Sequence, residues 1–171
     1  MISDLLNTNE FNPYYTTYIN NTAHEDIIKG LKSNLVSVPK FYSNIPDSKH
    51  NYAYADDKWT VKEILIHIID TERIFAYRAL RIARKDKTPL SGFEQDDYVL
   101  ESNTSQRTLT SLIEEFKAVR MATIALYKSL NLDTFLELGV ASGSNISVRA
   151  LGYIITGHEN HHNQIITERY L

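Results

Sequence analysis

The sequence predicts an all-α protein, a bundle built on four long helices. Two observations carry this. Only six glycines and four prolines interrupt 171 residues. The apolar residues recur mostly at three- and four-residue spacing, which is the period of a helix face rather than of a strand. A chain of this length, 43% hydrophobic, suits one domain over residues 1–171 that buries a core without metal or disulfide staples.

Residues 1–20 are polar, rich in Asn, Thr and Tyr, and read as an irregular lead-in. The first long helix begins near Thr22, whose spacing to Glu25 fits a capping box. Its stripe is Ile27, Ile28, Leu31, Leu35, Val38, Tyr42 and Ile45. Pro39 falls inside that stripe, where its missing N–H and its ring predict a kink or an interruption. The second helix has the best start signal: Thr60 caps it, Glu63 completes the box, and Trp59 can staple onto Ile64. It runs to about Arg84, with Asp86, Thr88 and Pro89 marking the exit. Residues 85–104 hold no regular period, and Ser91 to Tyr98 reads as a structured loop. A third helix carries Leu109, Leu112, Ile113, Phe116, Val119, Ile124 and Tyr127. Within 131–146 the pattern supports one short turn at Thr134–Leu138, then a loop holding Gly139 and Gly143. Ser147 caps the last helix, with Ile146 stapling onto Leu151, and the helix continues almost to Leu171. The two long connections, near 45–60 and 85–105, mean that helices adjacent in sequence need not be simple antiparallel neighbours.

Composition removes several function classes. With 18 basic against 21 acidic residues and a net charge of −3, there is no basic surplus for nucleic acid or anionic lipid. No apolar run approaches the roughly 20 residues of a membrane span, and Met1–Asn7 lacks a signal-peptide pattern. A soluble, cytoplasmic protein is expected. The absence of cysteine excludes disulfides, thiolate zinc sites and cysteine nucleophiles.

Three of the six histidines fall in His158-Glu159-Asn160-His161-His162. At about 100° per residue, Val148, Leu151, Ile155, Ile165 and Ile166 define the apolar face of the last helix. His158 and His162 lie near the middle of that face; His161 lies to one side, at the surface or a site rim. Two inward imidazoles at i and i+4 are costly unless their ring nitrogens are satisfied. A divalent metal does this, as do bonds to tyrosines or carboxylates in a purely structural core. A third ligand would come from another helix. His67 is the one other histidine inside a long helix, although it sits on the flank of its stripe, roughly 120° from the centre. His24 and His50 carry no assigned role.

Glu72 falls inside the apolar stripe of the second helix, between Ile68 and Phe75. A buried carboxylate must be paired, hydrogen-bonded or protonated. One reading pairs it with Arg169, which falls on the apolar face of the last helix; the other makes it a general base beside a metal.

Three blocks give the chain a family resemblance: Lys58-Trp59-Thr60-Val61-Lys62-Glu63-Ile64-Leu65 with His67 following; Asp70 through Leu80; and Gly157-His158-Glu159-Asn160-His161-His162. Thr88 to Phe93 and the terminal Glu168 to Leu171 fit one subgroup. From about Tyr52 onward the sequence resembles the DinB-like superfamily of metalloenzymes.

That resemblance implies a four-helix bundle with up-down-down-up connectivity, often a homodimer, and a three-histidine site for a divalent metal, commonly nickel or zinc. Carried over residue by residue, the ligands are His67, His158 and His162. Glu72 and Asp70 are candidates for outer-shell or proton-transfer catalytic roles. Some relatives transfer low-molecular-weight thiols such as bacillithiol, mycothiol or glutathione onto electrophiles. The expected function is therefore metal-dependent transfer of such a thiol; the alternatives are hydrolysis by metal-bound hydroxide or a non-catalytic, stress-associated metal-binding protein. A site of three neutral histidines keeps the ion's charge and leaves open positions, the pattern of a catalytic centre. Lacking cysteine, the chain must take any thiolate from a cosubstrate. The loop 86–98, with Lys87, Phe93, Asp96, Asp97 and Tyr98, is the expected rim for the small-molecule substrate.

Overall fold

The computed structural model describes residues 1–171. Its helices are α1 (Thr16–Asn20), α2 (Ile27–Ser43), α3 (Val61–Ala83), α4 (Gln95–Glu101), α5 (Leu109–Lys128) and α6 (Val148–Arg169), with a hairpin of β1 (Leu138–Ala141) and β2 (Ser144–Ser147) before α6. No helix is long and apolar enough to cross a membrane.

The start signals read from the sequence hold for two of the long helices, and α5 has a cap, Thr108, that was not read. Glu63 N–H donates to Thr60 Oγ1, and Thr60 N–H donates back to the Glu63 carboxylate at 2.7 Å. Ser111 N–H donates to Thr108 Oγ1 at the head of α5, and Ala150 N–H to Ser147 Oγ at the head of α6. The start of α2 differs. Asp26 caps it by accepting from Lys29 N–H at 2.8 Å, while Thr22 is buried and donates its hydroxyl to Tyr153 O at 2.9 Å. Pro39 does not end α2, which continues to Ser43. Val38 and Tyr42 on either side are buried, so packing holds the turn that the proline weakens.

Three segments read as irregular contain structure. The lead-in forms α1, whose Tyr18 carbonyl lies against Gly157 of α6 so closely that a Cβ there would stand 1.7 Å from it. The 91–98 segment includes the start of α4. The glycine-bearing stretch before α6 is the hairpin, turned by Ser142 and Gly143 at φ 50° and 75°. Successive left-handed residues make the tight turn that matches strand twist.

Contacts give the connectivity directly. Asn34 reaches Asn160 while Ile27 faces Gly152, so α2 and α6 run parallel. Trp59 O accepts from the Tyr170 hydroxyl, and His67 meets His158, so α3 opposes α6. Lys62 Nζ donates to Arg107 O and Arg73 pairs with Glu115, so α3 and α5 are parallel. The order is up-down-down-up, and the long 84–108 connection is what returns the chain to start α5 beside the head of α3.

Two apolar clusters fill the bundle. One contains Leu31, Phe75, Ile82, Tyr127, Leu151 and Ile154; the other contains Val38, Leu65, Ile69, Phe116, Ile166 and Tyr170. Between them lies a buried polar layer of Asn34, His67, Glu72, Arg120, His158 and Glu159. That layer holds the site.

Candidate metal centre

Opposed α3 and α6 bring His67 against His158 and His162, which share one face of α6 because they are four residues apart. The His158 Nε2 lies 3.1 Å from His67 Nε2 and 3.0 Å from His162 Nε2. One ligand nitrogen from each of the three lies within 4.8 Å of the others. Trp59 leans on the His67 ring at 4.6 Å between centroids, and Tyr18 meets His158 edge-on at 5.2 Å. His67 and His158 are buried. His162 was expected to be buried and is half-buried instead, because its outer edge borders a cleft. His161 packs edge-on to Tyr18 at the rim, as its position on the helical wheel predicts.

Burial disfavours the charged imidazole and sets the ionisation of the cluster. It lowers His67 to about 4 and His162 to about 3, with the neighbouring imidazoles adding to the effect at His162, and it lowers His158 well below the ordinary value. All three rings are therefore neutral at pH 7. Three neutral rings cannot satisfy one another fully here, since both His67 Nε2 and His162 Nε2 meet the same His158 Nε2, and each such nitrogen carries either an N–H or a lone pair. The spacing fits an ion. Nitrogens about 2.0–2.2 Å from a shared metal, at right angles to tetrahedral angles, stand about 2.8–3.6 Å apart. Neutral imidazoles with lone pairs converging at this spacing are what a divalent cation requires of protein ligands.

Glu72 is buried as the wheel predicts, but its partner differs from Arg169. Arg120 of α5 donates from Nε to Glu72 Oε1 at 2.8 Å and from Nη2 to Oε2 at 3.0 Å. The same guanidinium donates to Glu159 Oε2 at 2.6 Å, and Asn34 Nδ2 donates to Glu159 Oε1. Arg169 is exposed in the last turn of α6, while its neighbours Ile166 and Tyr170 are buried. Asp70 accepts from Arg73 at 3.1 Å and borders a surface cleft with Asp97 and Glu101, away from the imidazoles. Neither carboxylate hydrogen-bonds to a histidine.

Arg120, Asn34 and Glu159 were missed. A signal existed for Arg120, which stands four residues from both Phe116 and Ile124 in the apolar stripe of α5. Glu159 was overlooked between two histidines.

Two clefts flank the cluster. One, of about 240 Å³, has His67 and His158 at its floor with Thr71, Phe75 and Arg78 continuing along α3 and Tyr15 above. The other, of about 390 Å³, exposes the edge of His162 between Trp59, Lys58 and Tyr170. The 93–98 segment rims both, through Phe93, Glu94 and Gln95 on the first and Asp96 on the second.

No curated protein matches the chain. Among solved structures it is similar to YfiT from Bacillus subtilis, described as a probable metal-dependent hydrolase with an unusual four-helix bundle topology. The TM-score is 0.72 at 15% identity, over 93% of this chain and 91% of that one, a likeness of fold that agrees with the connectivity traced above. The DinB superfamily model matches residues 36–166, from the middle of α2 to the end of the histidine-bearing helix. With the match spanning most of its length and all three converging histidines, the chain belongs to the DinB superfamily.

Proposed function

We propose that the protein is a divalent-metal-dependent enzyme of the thiol-transferase type, with His67, His158 and His162 as metal ligands and nickel or zinc as the ion. The observation that carries this reading is the convergence of three neutral ring nitrogens between two clefts. Three neutral ligands leave an ion its full charge and open positions. Such an ion supplies Lewis acidity, which makes a thiol or a water acidic enough to react as its anion near neutral pH.

The chain's own residues supply positioning and exclusion. Trp59, just before α3, packs on the His67 ring and Tyr18 of α1 on the His158 ring, which fixes both and limits their contact with water. The two clefts give two reactants separate approaches to one point, as a transfer between cosubstrates needs. Burial keeps the Tyr15 and Tyr18 hydroxyls protonated, so each can donate to a developing negative charge in the first cleft. Because the chain has no cysteine, the thiol arrives from outside.

A second reading, hydrolysis by activated water, is favoured by the description of YfiT. The test offers protein purified without a histidine tag and loaded with nickel or zinc a panel of low-molecular-weight thiols with monochlorobimane. Thiol-dependent turnover that vanishes on chelation and in His162→Ala is expected. Ester or amide hydrolysis without thiol would replace this reading with the second. No turnover at full metal occupancy would leave a metal-binding protein without catalysis.

A further inference from the structure

His67, Thr71, Phe75 and Arg78 follow one another along a single face of α3 and form the floor of the first cleft. The histidine stands at one end and the arginine at the other. Their backbones are about 16 Å apart along the axis at 1.5 Å per residue, and the Arg78 side chain, leaning toward the helix N-terminus, shortens that span.

Arg78 is 2% exposed and has no carboxylate partner; none of the protein's ion pairs includes it. Its Nη2 donates to Ser91 O at 2.7 Å and to Ser142 Oγ at 3.0 Å, and the ring of Phe75 lies 5.4 Å from its guanidinium carbon. These contacts fix the group in place without neutralising it. No carboxylate meets its remaining N–H groups; the Tyr15 hydroxyl is within reach of them. Arg78 borders both the first cleft and a neighbouring pocket with Tyr77, Arg81 and Pro89. A charge that is buried and unpaired is costly, and proteins keep one where something else completes it.

A second observation points the same way. The Tyr15 hydroxyl stands beside the guanidinium. Glu94, the one carboxylate lining the cleft, is exposed at the rim and pairs with no base.

We propose that Arg78, with Tyr15, is a binding subsite for a carboxylate carried by the substrate, at the far end of the cleft from the histidine cluster. The substrate class this defines is an elongated monocarboxylate whose reactive group lies at the other end, over His67 and His158. A carboxylate suits the cleft better than a phosphate monoester. Arg78 is the one permanent cation lining it, and a dianion would leave one charge uncompensated beside Glu94. The assignment rests on the first cleft being a substrate cleft, as proposed above, but its test does not depend on the metal.

The test titrates isotope-labelled protein, incubated with zinc, with hexanoate, 1-hexanol or hexyl phosphate. It follows the Arg78 Nε–H resonance, identified by its loss in Arg78→Lys. This readout reports on Arg78 whether or not an ion occupies the imidazoles, so failure of the metal reading leaves it standing. Hexanoate is expected to shift the resonance saturably and 1-hexanol to leave it in place. Arg78→Gln should weaken hexanoate binding, measured by calorimetry, by about ten- to a hundredfold, the worth of a charge-assisted hydrogen bond. A resonance unmoved by hexanoate overturns the proposal, and so does saturation by hexyl phosphate alone. Undiminished hexanoate binding to a folded Arg78→Gln protein does the same. If that variant fails to fold, because Ser91 and Ser142 lose their donor, the titration of the unmodified protein decides alone.

Discussion

Arg120 donates to Glu159 at 2.6 Å, and Glu159 is the residue that follows His158. The other edge of that guanidinium holds Glu72, a little over one turn along α3 from His67. A single side chain on α5 thus clamps both helices that carry the imidazoles. The clamp is electrostatically tight but not balanced, since two buried carboxylates face one cation. Burial pushes the Glu159 carboxyl up to about 7 against the opposing pull of Arg120, which lets Glu159 hold a proton near neutrality.

Arg120→Met should therefore destabilise the protein by about 3–5 kcal/mol, the cost of removing one partner from a buried ion pair. Chemical denaturation measures it. Glu72→Gln keeps the shape of the clamp and one acceptor oxygen. It should cost less, about 1–3 kcal/mol, with metal content unchanged because Glu72 touches no histidine.

The imidazoles themselves separate by role. His67→Ala, His158→Ala and His162→Ala should each reduce the metal content of untagged protein strongly, because each removes one of three converging donors. His161→Ala should leave it unchanged, since its ring packs on Tyr18 and His162 rather than pointing to the shared centre. Elemental analysis of the four variants after zinc or nickel loading checks this, and loss of metal in His161→Ala alone would relocate the site.

Gly157 tests how α1 closes the first cleft. A Cβ there would stand 1.7 Å from the Tyr18 carbonyl oxygen, and backbone cannot give way as a flexible side chain does. Gly157→Ala should displace α1 and take Tyr15 and Tyr18 off the cleft, while α6, already helical there, gains propensity. Faster amide exchange confined to residues 16–22, with the rest of the bundle protected, is the expected signature.

How much of this was legible in the sequence depends on what each residue answers to. Thr60 and Ser147 cap their helices through contacts within four residues, and local sequence decides local contacts. Thr22 went wrong for the opposite reason: its hydroxyl answers to Tyr153, far away in the chain. His67 looked like a flank residue because the wheel assumes one buried face. In the first half of α3 nearly every side chain from Val61 to Ile69 is buried, covered from several sides by α4, α5 and α6, so the flank is interior too. Arg169 fitted the apolar face of α6 by angle, but in the last turn Ile166 and Tyr170 fill the core and Arg169 is exposed. The hairpin at 138–147 is too short for alternation to register, and only the Ser142-Gly143 pair hinted at its turn.

The last expectation concerns acid. Glu10 is buried in the N-terminal segment and is bonded by the Arg149 guanidinium through Nε at 2.6 Å and also through Nη2, by Ser147 Oγ at 2.8 Å, and by Asn7 N–H at 2.8 Å. Burial alone would raise its pKa; the bonds from Arg149, the Asn7 backbone and Ser147 override that and hold it at about 2, against an ordinary 4.5. A carboxyl with a depressed folded-state pKa contributes stability that is complete above its unfolded value and is lost as pH falls through the folded one. The window is therefore pH 4.5 down to about 2. Arg149 is partly in solvent, which screens the pair, so the contribution is about 1–2 kcal/mol. Ser147 couples this to the site-bearing helix, because its hydroxyl donates to Glu10 while accepting the α6 cap bond from Ala150 N–H. Glu10→Gln should lower the Tm at pH 7 and flatten its fall between pH 5 and pH 2, since the variant has no proton to take up at that position. An unchanged acid profile in Glu10→Gln would mean that the N-terminal segment does not brace α6 in this way.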